Sequence, residues 1–234
     1  MEAKANGGND SAIQKIIGVF TSPAKTFASI DAKPTWLVPI MIVAAVSLLF
    51  TFVASDVLVN ETLTQQEEKM LERGMDGDQI DQTLATTGKV MKYTMPIFAV
   101  IMPMIITAIV AGVFLFVGNV VLGGSSSFKK VFSVTVHSWL VFMVGALIML
   151  PIVLAKETMQ VSFSLATLMS DESKTSFLYQ LLSKVDVFAI WWIAVFSIGM
   201  AVIYKMKTQK MAIAVGAVYA IYTVVASALT SMFS

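Results

Sequence analysis

The chain has 234 residues, of which 57% are hydrophobic and only 13% are charged, whereas an average soluble domain has about a quarter of its residues charged. This composition excludes an ordinary soluble fold. The net charge of +1 and the lack of a Lys/Arg-rich block exclude a nucleic-acid-binding domain. The absence of cysteine excludes disulfides, thiol catalysis and cysteine-ligated metals.

Residues 1–33 are predicted to form a cytoplasmic N-terminal segment with two short amphipathic helices. Apolar residues recur at i, i+3, i+4 and i+7 in the first helix, and the second helix adds one aromatic residue. This candidate interfacial docking set is Ile13, Ile16, Ile17, Phe20 and Phe27. Ser22 and Pro23 interrupt the first pattern and favour the start of the second helix. Two interpretations stay open: the segment docks a cytoplasmic partner, or it lies on the bilayer and anchors the first span.

Five uncharged runs follow and hold 125 of the 234 residues. A bilayer needs about 20 apolar residues per helix, so each run is long enough for one span. The run at 93–128 exceeds one span, and its helix is placed with Pro96 at the start and Pro103 inside. The predicted spans are 35–55, 97–122, 131–155, 187–204 and 211–232. The sequence therefore predicts an all-α, polytopic membrane protein in which residues 34–234 form a five-helix membrane domain.

The distribution of basic residues predicts the orientation, because loops rich in Lys and Arg stay cytoplasmic. Nine of the 16 basic residues fall in about 47 residues on one side, which includes the N-terminal segment. The other seven are spread over about 68 residues. The N-terminus is therefore expected in the cytoplasm and, with five spans, the C-terminus outside it.

The first extracytoplasmic loop, residues 56–92, is predicted to form a helical hairpin. Thr64 to Glu67 has the spacing of a capping box, Gly74 is placed at the end of that helix, and Asp78 is expected to cap the second one. In the third loop, the uncharged stretch 158–170 is too short for a span and is expected to be interfacial or re-entrant.

Three polar side chains are candidates for an intramembrane role: His137, Tyr219 and Tyr222. His137 lies about 10 Å from the cytoplasmic end of the third span. It is expected to be structural, bonded to Ser138, Thr135 or a neighbouring helix, although a role in pH sensing or transport stays open. The two tyrosines lie deep in the fifth span, where each phenol needs a partner from another helix. No metal or cofactor site is predicted, because one histidine without carboxylate or thiolate neighbours cannot supply a ligand set.

The fifth span also carries small residues at spacings of three and four. They are Ala212, Gly216, Ala220, Thr223, Ser227 and Ser231. Such a stripe lets membrane helices approach closely. Packing within the monomer is favoured over a homo-oligomer interface, which stays open as an alternative.

The order of these elements resembles the Yip (Ypt-interacting protein) family in its bacterial branch. The residues that carry the resemblance are 16–30 (IIGVFTSPAKTFASI), 33–39 (KPTWLVP) and 132–134 (FSV), together with five spans and an acidic first loop. The resemblance implies a five-span membrane protein with a cytoplasmic N-terminus and no catalytic residues, here in a bacterial cytoplasmic (inner) membrane. Eukaryotic members are associated with Rab GTPases, but their sequences DLYGP and GY-x-x-P do not occur here, so Rab binding is not carried over.

The first functional hypothesis is a non-enzymatic membrane protein that binds the lipid bilayer and other membrane proteins. Some bacterial relatives resemble accessory subunits of ABC-type export systems, which makes such a transporter one expected partner. The alternative is a small transporter or channel, which predicts a continuous polar cavity that reaches His137. An intramembrane enzyme is the weakest hypothesis, since no nucleophile and base can be paired.

Overall fold

The computed structural model describes residues 10–169 and 176–233. Ten α-helices are found in these residues, and their bounds are α1 Ala12–Thr21, α2 Pro23–Ala32, α3 Leu37–Val53, α4 Ser55–Glu72, α5 Gly77–Phe116, α6 Phe128–Ser138, α7 Leu140–Lys156, α8 Phe177–Ser183, α9 Val187–Tyr204 and α10 Thr208–Phe233. A π-helical turn, Val117–Val121, extends α5, and Leu165–Leu168 forms a short 3-10 turn. Within the described ranges, the only β-type pairing is an isolated bridge between Ser164 and Asp186.

Four helical stretches of the described chain are long and apolar enough to cross a bilayer, and a fifth is formed if α3 and α4 count as one bent span. The four are Gly77–Val121, Phe128–Lys156, Val187–Tyr204 and Thr208–Met232. Helices α3 and α4 meet at a 69° bend. The predicted all-α, polytopic membrane fold is confirmed.

The predicted hairpin is present as α4 and the start of α5, but two of its boundaries differ from the prediction. Helix α4 begins at Ser55, so Thr64 lies inside it and caps nothing, because no helix breaker separates the two positions. Gly74 does follow the end of α4, with a φ of +69° that suits glycine. The side chain of Asp76, not Asp78, accepts the backbone N–H of residue 78 at 3.0 Å.

The prediction that Pro96 starts a helix was wrong, since α5 runs without a break from Gly77 to Phe116 and holds both prolines inside it. At 1.5 Å per residue this helix is about 60 Å long, twice the thickness of a bilayer core. Proline removes one helical hydrogen bond, here to the carbonyl of Lys92. Lys92 is an exposed residue, and the helix continues past both this position and Pro103.

Contacts divide the chain into two compact units. Of the described residues, one unit comprises 10–41, 106–142, 162–169 and 176–233, and the other comprises 42–105 and 143–161. In the second unit, α4 packs on α5 so that the Cβ position of Gly88 lies 3.5 Å from Leu63. Thr158 donates a hydrogen bond to Glu61 in that unit, and the rest of the stretch 158–169 is irregular apart from its 3-10 turn. Residue 170 lies outside the described residues.

Helix α9 is the centre of the first unit and packs against α2, α6 and α10. Its Phe196 stacks on Trp192 at 5.0 Å and meets Phe114 edge-on at 4.7 Å. Gly199 lets α6 and α2 come close, because a Cβ there would lie 2.5 Å from Val134 and 3.1 Å from Phe27. The N-terminal helices thus belong to the core of this unit, and the contacts do not separate them at residue 33.

The loop after α5 closes around Tyr204 at the end of α9. The Asn119 side chain bonds both backbone groups of Ser126 at 3.0 and 3.1 Å and so holds the loop shut. A Cβ at Gly118 would lie 2.1 Å from the Tyr204 ring, and one at Gly124 would lie 2.6 Å from it. The ring is therefore held between two glycines.

Replacing Gly118 with Ala is expected to lower stability by about 1–3 kcal/mol, as overpacking does elsewhere. The buried Tyr204 ring cannot swing away, because Gly124 confines it on the other side. The measurement is the thermal midpoint of the purified chain in mild detergent. Gly112→Ala, six residues earlier with nothing within 4 Å of its Cβ position, is the matched control and is expected to leave the midpoint unchanged or slightly raised. Equal midpoints for both variants would contradict this packing.

Candidate functional site

A cavity of about 310 Å³ lies where α1, the segment between α2 and α3, and α6 meet. Its polar lining comes from Asp10, Lys15, Thr35, Lys129 and His137. Its apolar lining comes from Ala12, Pro34, Trp36, Leu37, Val38 and Pro39. All eleven residues belong to the first compact unit, and none of them lies on α9 or α10.

Lys15 is the most unusual lining residue, because only 3% of the residue's surface is exposed. Lysine is seldom buried unless it is paired. Its ammonium donates to the carbonyl oxygen of Lys33 at 3.3 Å and to the Thr35 hydroxyl at 3.4 Å, both uncharged acceptors. Burial lowers the pKa of Lys15 below its ordinary value of 10.5; the Asp10 carboxylate acts in the opposite direction and Lys33 in the same one. Among the described residues, the one ion pair is instead Lys130 with Asp31.

His137 forms the buried end of the lining, with 1% of its surface exposed. Its Nδ1 lies 2.7 Å from the carbonyl oxygen of Ser133, one turn earlier in α6, and must donate because a carbonyl only accepts. The expected partners, Ser138 and Thr135, instead bond the carbonyls of Val134 and Val131. Each of these three side chains thus donates a hydrogen bond to the backbone carbonyl four residues before it. The hydrogen bonds of the described residues leave Nε2 of the ring without a partner.

Helix α3 begins at the cavity with Leu37, Val38 and Pro39. The first N–H groups of a helix have no partner inside the helix, and they give its start a partial positive charge. Trp36, just before the helix, packs edge-on against Phe132 of α6 at 5.8 Å. Cationic side chains and a helix start are thereby brought to one small volume.

The residues predicted as a docking face of α1 and α2 separate in the structure. Ile13 and Ile17 are 68% and 56% exposed, while Phe20 packs against Trp191 at 5.6 Å. Ile16 is half-buried and Phe27 is fully buried in the core. The inward side of α1 is formed by Lys15 and Val19, which the apolar periodicity had not selected.

The two tyrosines of α10 lie near the start of α9. The Tyr219 hydroxyl donates to the carbonyl oxygen of Lys184 at 2.7 Å, three residues before α9 begins. Its partner is therefore a loop carbonyl and not a side chain of another helix. Tyr222 is exposed, with its ring 5.9 Å from that of Tyr219. Helix α10 has 26 residues and α9 has 18. Because α10 is longer, Tyr219 and Tyr222 lie inside α10 and yet level with the start of α9.

The small-residue stripe of α10 divides into a closed and an open part. Thr223 and Ser227 are buried. Gly216 has nothing within 4 Å of its Cβ position, and Ala220 is exposed. Ala212 and Ser231, near the two ends, are half-buried.

The family model of the Yip1 domain matches residues 17–229, nearly the whole chain. The chain belongs to the Yip1 family. This family consists of non-catalytic membrane proteins, and the present member is an integral, multi-pass membrane protein. Comparison with curated proteins and with solved structures gave no match.

The match in this Yip1-family chain begins at residue 17, so the second half of α1 and all of α2 lie inside it. The buried contacts of Val19 and Phe27 are accordingly part of the family domain. Lys15 lies just before the matched range, whereas Lys129 and His137 lie within it.

Replacing Lys15 with Met is expected to raise the thermal midpoint at pH 7, by roughly 2–4 °C for each kcal/mol gained. Methionine keeps an unbranched stem and removes a buried charge whose acceptors are neutral. The measurement is thermal unfolding of the delipidated chain in a neutral detergent. Lys15→Ala, which also loses the stem, is expected to melt below Lys15→Met.

The same pair of proteins gives a pH test. Since the folded-state pKa of Lys15 lies below 10.5, the unfolded chain binds more protons in the interval between those two values. Wild-type stability therefore rises with pH in that interval, and the advantage of Lys15→Met is expected to shrink as pH approaches 10.5. An advantage that stays constant or grows with pH would show that the ammonium is not penalised by burial.

Proposed function

We propose that this Yip1-family protein is a non-enzymatic scaffold or accessory subunit that binds other membrane proteins, such as an export or ABC-type transport system. The observation that carries the proposal is the open edge of α10. There, Gly216 and Ala220 form a small-residue surface that no part of the described chain covers closely. In lipid, where the hydrophobic effect between helices is absent, close approach at such small residues drives helix association.

A second surface supports binding outside the bilayer. The exposed Ile13 and Ile17 project from α1, whose other side is held by Val19 in the core. A helix fixed in this way presents its apolar residues at low entropic cost. We assign this surface to contact with the membrane surface or with a partner that lies on it.

The proposed location is the bacterial cytoplasmic membrane, with the N-terminus in the cytoplasm and the C-terminus outside. The excess of lysines in the N-terminal segment and in the loop that holds Lys129 and Lys130 supports this orientation. The cavity and the exposed face of α1 then lie on the cytoplasmic side.

The apolar core beyond His137 favours a scaffold over a transporter. A transport path would need polar groups along the bundle, but the cavity that reaches His137 is lined by residues from 10–39 and by Lys129. One turn beyond His137, Val141 is fully buried in the apolar core with Phe196 and Met200. This arrangement is that of a pocket that ends inside the protein.

Ala220→Leu is expected to reduce capture of membrane partners by at least about tenfold, because a larger side chain holds the partner helix away from Gly216. The measurement is crosslinking in native membranes followed by mass spectrometry of copurified proteins. The control is Ala155→Leu, the same enlargement at an exposed position of α7, which is expected to keep capture and stability unchanged. Unchanged capture of membrane partners by the Ala220→Leu variant would contradict the assignment of the partner surface to α10.

A further inference from the structure

The cavity beside α1 has a chemistry that partner binding on α10 does not use. We propose that it binds the phosphate of an anionic membrane phospholipid. Two lysines, a helix start and the buried His137 meet at this cavity, and none of them belongs to the α10 surface.

The lining of the cavity carries an excess of positive charge. Lys15 of α1 and Lys129 of α6 both line the cavity, against one carboxylate, that of Asp10. An ammonium has three donors, and Lys15 uses two of them on neutral oxygens at more than 3.2 Å. A phosphate oxygen would give the third donor a charged partner and offset the cost of burying the ammonium.

The start of α3 adds backbone hydrogen-bond donors to the cavity. The N–H groups of Leu37 and Val38 belong to the first turn, where the helix itself offers no acceptor, and both residues line the cavity. Backbone donors at a helix start bind phosphate together with the positive end of the helix dipole. Such a site recognises the phosphate and tolerates different groups attached to it.

His137 gives third and independent support, because this buried residue lines the cavity and its Nε2 makes no hydrogen bond within the described residues. With Nδ1–H given to the Ser133 carbonyl, Nε2 of the neutral ring carries a lone pair and can only accept. A group that fills the cavity therefore needs a donor at its inner end. The hydroxyl of a glycerol-type headgroup, next to the phosphate, supplies one.

The surroundings of the cavity indicate a lipid and not a soluble phosphate ester. Leu37 and Val38 are exposed and begin the apolar α3, which forms a candidate span together with α4. Trp36, the residue type that prefers membrane interfaces, stands at the same edge. A phosphate in the cavity would thus have apolar surface beside it for acyl chains.

Native mass spectrometry of the purified full chain in mild detergent tests the proposal, with phosphatidylglycerol, phosphatidylcholine of the same acyl chains, and soluble glycerol 3-phosphate as probes. Phosphatidylglycerol is expected to bind at least about tenfold more tightly than either of the others, as expected when charge-assisted hydrogen bonds are gained. Equal affinity for phosphatidylcholine would overturn the role of charge. Equal affinity for glycerol 3-phosphate would overturn the lipid source.

Two neighbouring lysines give a matched pair of variants. Lys129→Gln is expected to weaken phosphatidylglycerol binding by about tenfold, the loss of one charge-assisted contact, and its exposed side chain leaves the fold intact. Lys130→Gln removes the same charge one residue away, where the side chain pairs with Asp31 and does not line the cavity. The Lys130 variant is expected to bind within about twofold of wild type. Equal losses in both variants would show a general surface-charge effect and would overturn the site.

Discussion

The close approach of α9 to α2 and α6 at Gly199 is the contact on which the position of the N-terminal segment depends. Only a residue without a Cβ lets Phe27 and Val134 meet the α9 backbone at that distance. Once Phe27 is fixed there, the ion pair between Asp31 and Lys130 holds the end of α2 to the start of α6. Helix α1 then folds back across the break at Pro23, and its inward face is set by Val19. A pair of helices too short to cross a bilayer is in this way built into the core.

The buried Lys15 follows from that geometry and explains why a cavity remains beside it. An ammonium cannot be packed on all sides by apolar groups, since the cost of removing it from water exceeds what a lysine stem gains. The Lys15 ammonium is instead surrounded by two neutral oxygen acceptors and by the open volume of the cavity. A residue kept in such an environment at a cost to stability is typical of a binding site, where stability is exchanged for function.

How much of this could be read from the sequence depends on whether the determining contacts are local. The break at Ser22 and Pro23 was predictable, because a proline at the first helical position acts within one turn. The inward face of α1 was not, since Ile13 and Ile17 satisfy the same periodicity as a buried face and only the contact with other helices decides which side turns inward. Lys15 was missed because composition rules treat lysine as a surface residue. The continuity of α5 through Pro96 was missed because a proline is weighed by the helical hydrogen bond it removes, whereas α5 continues past both Pro96 and Pro103.

The small-residue stripe on α10 was also predicted from spacing alone, and only contacts with other helices show which of its residues stay accessible. These contacts also separate partner binding on α10 from phospholipid binding in the cavity. Spacing alone identified six small residues, yet burial divides them, and a helix surface can serve a partner only where its own chain leaves it open. Gly216 and Ala220 meet that condition, whereas Thr223 and Ser227 do not. Since the cavity at Lys15 is formed by α1, α3 and α6, enlarging a side chain on α10 changes none of its lining residues. Loss of partners and loss of phospholipid are therefore separable phenotypes, and a variant that loses both at once would indicate that one ligand is required before the other can bind.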